Sequence, residues 1–390
     1  MAQDQYICRW AALSLSNIAA VFLPDILLPR EASSPVKHEL VAVSTTGTRE
    51  RASSWFRDHN IPKFDSVKLY HSWEEMLENG DFDAVYISTP HPLHFTMVRK
   101  ALKCKRNVLV EKPATMRRQE YEELSKMAIE NGVLLMEAMW TRYLPAAKYF
   151  KEDLLPRIGQ VKRVYAEFSF PIVSADLSHS SRFLDKKAGA GSLLDQGVYA
   201  LTWADLALNG LDDGSSATEV VYANTMSVPN VPDEVDDINT IILSKKDSSG
   251  KQAAVGIITT SMTIPGSSRT SFYQRLQAQK AAPTVRIEGT KASVAIPFPP
   301  IRPEELHIQW YGDGEVDENG IERSEIVSKK VERGWGIWYQ ADVLAERIKS
   351  NEASERKGEV IGREESLRVL GWMDQAQKLA GIVYGDLTTK

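Results

Sequence analysis

The first third of the chain alternates short apolar runs with amphipathic segments. Apolar runs that end in turn residues predict buried strands over residues 6–14, 38–44, 84–88, 107–110 and 133–136. Between them, apolar residues recur with the helical period and predict helices over residues 18–28, 49–59, 73–79, 94–105 and 117–131. Strands that alternate with helices of this length indicate a parallel sheet covered by helices on both faces.

Capping residues mark two of these helices. Ser72 precedes the third predicted helix and is expected to be its N-cap, with Glu75 as the capping-box partner. Gly132 follows the fifth predicted helix and is expected to end it, because glycine adopts the left-handed backbone of a C-cap at little cost.

The pattern changes after about residue 139. Alternating apolar and polar residues predict strands over residues 161–170, 218–226, 238–244, 253–263, 284–288, 292–296 and 305–310. Helices are predicted over residues 193–208, 338–349 and 364–379. We therefore expect an α/β protein of two domains, residues 1–140 and 141–390, the second an α+β domain with an open, mainly antiparallel sheet. The last helices are expected to pack back on the first domain.

The composition narrows the class of protein. A chain of 390 residues exceeds one ordinary hydrophobic core, which agrees with two domains. Its 43% hydrophobic and 25% charged residues are typical of a soluble globular protein, and its net charge of −5 argues against a nucleic-acid partner. Cys8 and Cys104 lack the spacing of a metal site, and so few cysteines indicate a reducing compartment or indifference to redox conditions. We therefore expect a cytoplasmic protein without a metal centre.

Residues 10–28 form a nearly uncharged run that resembles a signal-peptide core or a short membrane span. The run is less apolar than a membrane helix of about 20 residues, because it is interrupted by Ser14, Ser16, Asn17, Pro24 and Asp25. It also supplies the first strand and helix that a βαβ unit needs. We therefore favour the βαβ unit over a signal peptide and expect no membrane partner.

The sequence Val110-Glu111-Lys112-Pro113 follows an apolar strand. The residue before a proline is pushed into extended backbone, so Lys112 is expected at a strand end rather than on a helix face. Because ligands bind at the carboxyl ends of parallel strands, a lysine there can contact a cofactor hydroxyl or act beside an acid/base group. For so short a motif, a strand-to-loop transition with a surface charge is the alternative.

The loop after the first strand departs from a known pattern. A dinucleotide-binding fold normally has Gly-x-Gly-x-x-Gly or Ala there, because glycines permit the tight turn and a close approach to the pyrophosphate. Residues 14–19 of this chain are Ser-Leu-Ser-Asn-Ile-Ala, so Ser14, Ser16, Asn17 and Ile18 are the candidates for phosphate contact. Serine lacks the freedom of glycine at positive φ, and an α/β domain that no longer binds nucleotide remains the alternative.

The second strand ends in Ser44-Thr45-Thr46, and Arg49 and Arg51 follow. Dehydrogenases that prefer NAD usually have Asp or Glu here to bind the adenosine ribose. No carboxylate is present to repel a 2′-phosphate, and hydroxyls with an arginine suit that group. We therefore expect NADP if a dinucleotide binds; the alternative is that both arginines are solvated on the helix face.

Asp195 and Tyr199 lie four residues apart in a predicted helix, so they are expected to share a face. A tyrosine near a carboxylate and a lysine can act as general acid or base on a carbinol or carbonyl oxygen. The unperturbed pKa of tyrosine, about 10, is high for a base at neutral pH, and a neighbouring ammonium group lowers it. Lys112 is the candidate neighbour; a structural Asp/Tyr pair is the alternative.

His91 and His94 could be mistaken for metal ligands. Two histidines three residues apart, without a clear third ligand, make a weak zinc site. We prefer ligand contact, or a role at the helix entry on the open edge of the sheet.

Trp140 and Arg142 lie at the expected domain boundary, where a substrate cleft would form. Packing between domains is the alternative for Trp140.

Together these motifs resemble the glucose–fructose oxidoreductase / inositol dehydrogenase / MocA family over nearly the whole chain. The resemblance runs through Arg9-Trp10, Thr89-Pro90 with His94, Glu111-Lys112-Pro113, Met136-Glu137-Ala138 and residues 194–199. Within the family, residues 137–142 and the Asp-x-Gly-x-Tyr pattern at 195–199 are most similar to dimeric dihydrodiol dehydrogenases and fungal NADP-dependent D-xylose 1-dehydrogenases.

The resemblance implies an NAD(P)-binding Rossmann domain at residues 1–140 and a substrate-binding and dimerisation domain at residues 141–390. It implies hydride transfer from an aldose C1 hydroxyl or a trans-dihydrodiol to NADP, in a homodimer formed through the open sheet face. A non-catalytic or weakly active member that binds a ligand or partner is the alternative.

The resemblance also implies three sets of site residues. The catalytic set is Lys112, Tyr199 and Asp195. The cofactor-binding set is Ser14, Ser16, Asn17, Ile18, Ser44, Thr45, Thr46, Arg49, Arg51, Thr89, Pro90, His94, Glu111 and Lys112. The substrate-binding set is Trp140, Arg142, Asp195 and Tyr199.

Overall fold

A computed structural model of the protein describes the chain as two compact units. The described residues are 5–31, 33–62, 64–173, 177–178, 181–211, 216–231, 234–266, 283–311, 316, 320, 322–352 and 358–384. The first unit comprises Met1–Trp140 and Glu332–Leu367, and the second comprises Thr141–Val331 and Arg368–Lys390.

The described residues form strands and helices in the following order. The strands are β1 Tyr6–Leu13, β2 Val36–Ser44, β3 Lys68–Tyr70, β4 Ala84–Ile87, β5 Asn107–Glu111, β6 Leu134–Ala138, β7 Arg163–Ser169, β8 Ala217–Ser227, β9 Asp236–Lys246, β10 Gln252–Ser261, β11 Val285–Glu288, β12 Ala292–Ile296, β13 Glu305–Trp310, β14 Ser324–Ser328 and β15 Glu359–Ile361. The α-helices are α1 Ala19–Ile26, α2 Arg49–Asp58, α3 Trp73–Asn79, α4 His91–Lys103, α5 Arg118–Asn131, α6 Pro145–Tyr149, α7 Val198–Asn209, α8 Trp338–Glu352 and α9 Arg363–Ala380.

The first unit is built on a seven-stranded sheet in the order β15-β6-β5-β4-β1-β2-β3. Every neighbouring pair in this sheet is parallel. All residues of β4 and β6 are buried, as expected of central strands that helices cover on both faces. From β1 the chain runs outward through β2 and β3 and then crosses to β4 on the other side of β1. The crevice at the carboxyl ends of β1 and β4 is therefore the switch point where ligands bind in such sheets.

Aromatic packing fills the core beneath this edge. Trp10 of β1 is fully buried and meets Phe22 of α1 edge-on, with ring centroids 5.6 Å apart. Phe22 in turn stacks on Tyr86 of β4, with centroids 3.8 Å apart. The helix α8 is tied to the same region by Asp25 of α1, whose carboxylate accepts from the amides of Trp335 at 2.6 Å and Trp338 at 3.1 Å. Charged oxygens at a helix N-terminus satisfy amides that lack a partner within the helix.

The second unit is built on an eight-stranded sheet in the order β14-β13-β12-β11-β7-β10-β9-β8. Its neighbours pair antiparallel, except β7 and β10, which are parallel. Along β10 and β12, buried residues alternate with partly exposed ones. The helix α7 is buried along its whole length, so it covers the apolar side of this sheet.

The fold class expected from the sequence is confirmed: a parallel α/β sheet is followed by a mixed, mainly antiparallel one. Ser72 is confirmed as the N-cap of α3, since its Oγ accepts from the Glu75 amide at 3.1 Å, although the carboxylate that bonds its hydroxyl is that of Glu74. Gly132 ends α5 in the left-handed region, at φ 67°. Among the described residues, no helix is long and apolar enough to cross a membrane.

Three features differ from the prediction. The helix α4 begins at His91 rather than at residue 94, because Pro90 takes the extended conformation of an N-cap. The predicted helix over 193–208 is a π-helical turn, Leu193–Gly197, followed by α7. The strands β3, β14 and β15 and the helix α6 were not predicted, because β14 is mostly exposed and polar and the other three have only three to five residues.

Candidate active site

The carboxyl edge of the parallel sheet gathers the loops that follow β1, β2, β4 and β5. These four strands are neighbours in the sheet, so their carboxyl ends lie side by side. The loops carry the predicted cofactor-binding residues: Ser14, Ser16, Asn17, Ile18, Ser44, Thr45, Thr46, Arg49, Arg51, Thr89, Pro90, His94, Glu111 and Lys112. Residues that are far apart in the sequence are thus brought to one edge of the first unit.

Ser14 adopts the left-handed backbone that the sequence analysis considered difficult for serine. Its φ is +85°, and its amide donates to the Ser44 carbonyl at 3.0 Å. Side chains other than glycine in this region cost about 1–2 kcal/mol. The loop therefore follows the tight turn that glycine usually permits, with strain stored at Ser14.

Ser16 lies between two elements of the same edge. Its Oγ accepts from the Ala19 amide at 3.1 Å and donates to Ser88 Oγ at 2.9 Å. The hydroxyl thus satisfies one amide at the start of α1, a group that a phosphate binds in many dinucleotide sites. Asn17 is exposed, and Ile18 takes the N-cap position of α1. One amide at the start of α1 is therefore already bonded to Ser16.

The end of β2 presents hydroxyls and guanidinium groups. Ser44 is buried, and Thr45 Oγ1 accepts from the Gly47 amide at 3.2 Å, which shapes the turn before α2. Thr46 and Arg51 are exposed, while Arg49 lies 5.1 Å from the Phe64 ring centroid and 3.9 Å from an Asp65 oxygen. Two hydroxyls, a helix N-terminus and an arginine are a donor set that fits a phosphate.

Three buried side chains hold the loop around Lys112. Tyr86 donates to Glu111 Oε1 at 2.6 Å, His94 Nδ1 lies 3.0 Å from the Pro113 carbonyl, and the Ala114 amide donates to Glu137 Oε1 at 3.0 Å. The Lys112 amide also donates to Glu111 Oε2 at 3.3 Å. Burial raises the pKa of Glu111. Lys112 is half-buried, and hydrogen bonds therefore hold the backbone on both sides of it.

His94 joins two of the loops at this edge. Besides Pro113, its Nε2 lies 2.8 Å from the Thr89 carbonyl, and the side chain is fully buried. Burial lowers the pKa of His94, although the two carbonyl acceptors favour a proton on each nitrogen. Because the ring is enclosed, it does not reach a cofactor itself. Its contribution to cofactor binding is to hold the Thr89-Pro90 and Lys112-Pro113 segments in place.

His91 and His94 both lie in α4. The rings of His91 and His94 pack edge-on with centroids 5.8 Å apart. Within the described part of the chain, no group of three or more His, Cys, Asp or Glu residues could hold a metal ion.

Asp195 and Tyr199 belong to the second unit. Asp195 lies in the π-helical turn and is 3.5 Å from Arg182 Nη2, while Tyr199 is the second residue of α7. The expectation that they share a face used α-helical spacing, which does not apply across a π turn. Both side chains are buried, with 6% and 7% of their surface exposed. Both residues therefore lie in the interior of the second unit rather than on its surface.

Tyr199 is the first of a series of aromatic rings in the second unit. Phe168 of β7 meets the Tyr199 ring edge-on with centroids 5.6 Å apart, and Phe298 lies 6.3 Å from Phe168. Phe170 stacks on Phe298 at 6.4 Å and keeps 47% of its surface exposed. Tyr199 thus lies at the buried end of a series of aromatic rings whose last member, Phe170, is exposed.

Trp140 and Arg142 lie on the short 3₁₀ turn Trp140–Tyr143. Trp140 is buried and ends the first stretch of the first unit, whereas Arg142 is half-buried and belongs to the second unit.

Glu137 belongs to the motif Met136-Glu137-Ala138, but the sequence predicted no role for it at the site. Its carboxylate accepts from Ala114 N at one oxygen and from Ser366 Oγ at 2.5 Å at the other. A charged residue within the fully buried strand Leu134–Ala138 was the available signal, since a glutamate is almost never buried unless its oxygens are bonded. Ser366 gave no comparable signal, because its partner is 229 residues away.

Comparison with known proteins decides the family. Residues 16–139 match the oxidoreductase family described as having an NAD-binding Rossmann fold, GFO_IDH_MocA, and residues 156–295 match the GFO/IDH/MocA C-terminal domain. A trans-1,2-dihydrobenzene-1,2-diol dehydrogenase of Xenopus laevis is 31% identical over 258 residues, which cover 66% of this chain and 70% of that protein. The chain belongs to the Gfo/Idh/MocA family. The resemblance stated from sequence motifs is confirmed, and the protein is an oxidoreductase of this family with an NAD(P)-binding Rossmann fold.

Other Gfo/Idh/MocA proteins match over nearly the whole chain. A D-xylose 1-dehydrogenase (NADP(+)) of Hypocrea jecorina is 27% identical, covering 99% of this chain and 95% of that protein. Among solved structures, a 3-ketoreductase from Actinomadura kijaniata in complex with NADP is similar with a TM-score of 0.70 at 20% identity, covering 96% of this chain and 98% of that one. An aldose–aldose oxidoreductase from Caulobacter crescentus also has a TM-score of 0.70, at 18% identity, covering 96% and 97%. At these identities the structures support the fold alone.

Proposed function

We propose that this protein is an NADP-dependent dehydrogenase that oxidises a CH–OH group. The substrate is an aldose at its C1 hydroxyl, of the D-xylose type, or a trans-dihydrodiol. The observation that carries the proposal is the loop Glu111–Ala114, which three buried side chains hold around Lys112 at the carboxyl edge of the sheet. The names of relatives that match along the chain, a D-xylose 1-dehydrogenase and dihydrodiol dehydrogenases, support the substrate class.

In this proposal Tyr199 and Lys112 share the proton chemistry. Tyr199 removes the proton of the substrate hydroxyl, and the carbon–oxygen bond becomes a carbonyl as the hydride leaves the carbon. NADP, when bound, supplies the acceptor of that hydride. Lys112 orients the hydroxyl and stabilises the tyrosine oxygen in its anionic form. Asp195, held near Arg182, contacts the substrate beside Tyr199.

The cofactor would be held along the carboxyl edge of the first unit. Backbone groups of residues 14–18 and the segment Thr89-Pro90 would line the pyrophosphate and nicotinamide ends, while Glu111 and His94 keep Lys112 in place. Ser44, Thr45 and Thr46 with Arg49 or Arg51 would bind the adenosine ribose and its 2′-phosphate, because they supply donors and no carboxylate. NADP is therefore preferred over NAD in this proposal.

The substrate would be bound by the second unit, Thr141–Val331 and Arg368–Lys390, against the aromatic rings of Phe168, Phe170 and Phe298. Aromatic side chains suit the apolar face of a sugar or diol ring, which leaves its hydroxyl groups for Tyr199 and Asp195. Trp140 and Arg142 complete the proposed substrate set.

We also propose a homodimer through the second sheet, in the cytoplasm. The edge strand β8 exposes Val221, Tyr222 and Met226 by 52%, 51% and 61% of their surface. Exposed apolar residues grouped on one strand are typical of an association surface, and a second copy is the proposed partner. Light scattering at micromolar concentration should give twice the mass of 43.6 kDa. The two free cysteines agree with a reducing compartment.

Enzyme kinetics test the proposal. Purified protein with NADP and D-xylose, or with a trans-dihydrodiol, should produce the absorbance of reduced cofactor. Lys112→Met and Tyr199→Phe should each lower kcat/KM by a factor of about 10² or more, as expected for lost acid–base catalysis. Lys126→Met on α5 and Tyr311→Phe are matched controls, since Lys126 is 78% exposed and Tyr311 bonds the Gly289 carbonyl. Turnover like that of the wild type in both site variants would refute the assignment.

A second candidate function is ligand or partner binding without turnover. The Ser16 hydroxyl already accepts from the Ala19 amide, and Ser14 is strained, so the loop is less open to a pyrophosphate than a glycine loop. Quenching of tryptophan fluorescence on titration with NADPH separates the two candidates. Micromolar binding supports the dehydrogenase, whereas no binding up to millimolar cofactor, in a protein that unfolds cooperatively, supports the second candidate.

A further inference from the structure

Asp236, at the start of β9, is almost fully buried, with 2% of its surface exposed. Its Oδ2 accepts from the Leu193 amide at 2.8 Å and from Asn239 Nδ2 at 2.8 Å, and its Oδ1 accepts from the Tyr384 hydroxyl at 2.9 Å. A buried carboxylate is costly unless donors surround it, and here three donors do so.

The Leu193 amide is the first donor of the π-helical turn that carries Asp195. The amides at the start of a helix lack partners inside it and are commonly bonded by a side chain of the preceding residue. Here Ser192 makes no such cap, and the carboxylate comes instead from a strand 43 residues later in the chain. The start of the turn is thus held by a side chain of another element, the strand β9.

The segment before Leu193 fits closely around the same carboxylate. Gly191 has φ +135°, and a Cβ at this residue would lie 1.9 Å from Asp236 Oδ1. The Ser192 hydroxyl lies 2.8 Å from Thr260 Oγ1 and accepts from Asn239 Nδ2 at 2.7 Å. Residues 191–193 therefore contact side chains of β9 and β10 at three successive positions. Gly191 is required because no side chain fits there.

Tyr384 extends this network to the described end of the chain. It follows α9, is 4% exposed, and its hydroxyl bonds the oxygen of Asp236 that does not contact Leu193. A donor on that oxygen fixes the rotation of the carboxylate, so the other oxygen stays directed at the Leu193 amide.

We propose that Asp236 is a positioning residue for catalysis: held by Tyr384, it sets the start of the π-helical turn and thereby places Asp195 and Tyr199. This inference rests on the proposed function, because the roles of Asp195 and Tyr199 belong to it. The chain after α9 thus acts on the reaction through Asp236 without touching the substrate.

Tyr384→Phe is the test, with Tyr311→Phe as its matched control. Both remove one hydroxyl from the second unit, and Tyr311 bonds Gly289 rather than the turn. Hydrogen exchange followed by mass spectrometry should show exchange at residues 193–197 about three- to tenfold faster in Tyr384→Phe, and unchanged in Tyr311→Phe. With NADP and D-xylose, kcat of Tyr384→Phe should fall about three- to tenfold, while the Kd for NADPH stays within about twofold.

The outcomes separate this inference from the proposed function. Exchange at residues 193–197 that is equal in the two variants overturns the inference, whatever the activity. Faster exchange with an unchanged kcat overturns the positioning role. If the wild-type protein shows no turnover with sugars or diols, the proposed function fails, and exchange alone decides whether Tyr384 and Asp236 hold the turn. Asp236→Asn, which keeps the shape of the side chain, should give a larger loss of kcat than Tyr384→Phe if it folds.

Discussion

Glu137 accepts the amide hydrogen of Ala114 at 3.0 Å, so a buried carboxylate of β6 holds the backbone two residues after Lys112. The other oxygen of Glu137 is bonded by Ser366 at the start of α9. The lysine is therefore oriented by groups that do not contact a substrate, and this arrangement can be tested separately from the lysine itself.

Glu137→Gln should reduce both stability and activity. The amide still accepts from Ala114 with its oxygen, but its NH₂ group then faces the Ser366 hydroxyl, and the charge-assisted bond is lost. Such losses at buried sites cost about 1–3 kcal/mol. We expect a lower melting temperature and a kcat/KM reduced about tenfold, against Glu130→Gln on the exposed side of α5 as control. Equal kinetics in the two variants would show that the loop around Lys112 does not depend on Glu137.

Ser14→Gly should stabilise the protein. Serine at φ +85° costs about 1–2 kcal/mol in the folded state, and glycine removes that cost while losing more backbone entropy on folding. The net gain in unfolding free energy should be about 0.5–1 kcal/mol, measured by urea denaturation. Ser14→Ala keeps the strained backbone and should not be stabilised. A glycine variant that is less stable than the wild type would mean that the Ser14 hydroxyl contributes more than the strain costs.

Much of this site could be anticipated from the sequence, and the reasons are local. The strand ends at Ser44 and Glu111 follow from apolar runs that stop at turn residues, and Lys112 follows from its place before a proline. What could not be anticipated depends on contacts between distant segments. Ser366 and Glu137 are 229 residues apart, and Tyr384 and Asp236 are 148 apart.

The backbone conformation around the catalytic candidates also could not be predicted from the sequence. Apolar spacing in Leu193–Gly197 does not distinguish a π turn from an α-helical one, and the Asp236 carboxylate that bonds its first amide comes from a distant segment. Similarly, Ser14 has a positive φ against its local preference, and its amide bonds the carbonyl of Ser44, which is 30 residues away at the end of β2.

Stability should fall as the pH drops below 6.5, because burial lowers the pKa of two histidines of the first unit. Burial lowers the pKa of His38 and of His94 below 6.5. His38 accepts from Trp10 Nε1 at 3.0 Å and contacts Asp342 at 2.8 Å, as a neutral ring does. Between the lowered pKa and 6.5, the unfolded chain binds protons that the folded protein does not, so the stability present above 6.5 is lost as pH falls.

His38→Gln should weaken this dependence. Each histidine contributes a slope of at most about 1.4 kcal/mol per pH unit, so removing one of two should reduce the difference in unfolding free energy between pH 7.5 and about 5.5. Urea denaturation at the two pH values measures it. An unchanged pH dependence in the variant would show that His38 keeps its proton in the folded protein.

The residues at the end of β2 should determine the choice of cofactor. Thr46 is exposed at the end of β2, and Arg51 lies in the first turn of α2, whose N-terminus also favours an anion. Charge-assisted hydrogen bonds contribute about 1.5–3 kcal/mol, so one of them should favour NADP over NAD roughly tenfold to a hundredfold. Thr46→Asp should reverse much of this preference by repelling the 2′-phosphate. Kinetics with both cofactors measure the ratio.

Two arginine variants sharpen this test. Arg49 already contacts Phe64 and Asp65, so Arg51→Ala should weaken the use of NADP more than Arg49→Ala, with NAD nearly unaffected in both. Arg57→Ala, in the last turn of the same helix, is the control, because Arg57 bonds Ser54 far from the helix N-terminus. If the wild-type enzyme used NAD as well as NADP, or if neither Arg49 nor Arg51 mattered, the end of β2 would not select the cofactor. If Thr46→Asp left the preference for NADP over NAD unchanged, this segment would not bind the 2′-phosphate. A carboxylate beside a bound phosphate would repel it and weaken the binding of NADP.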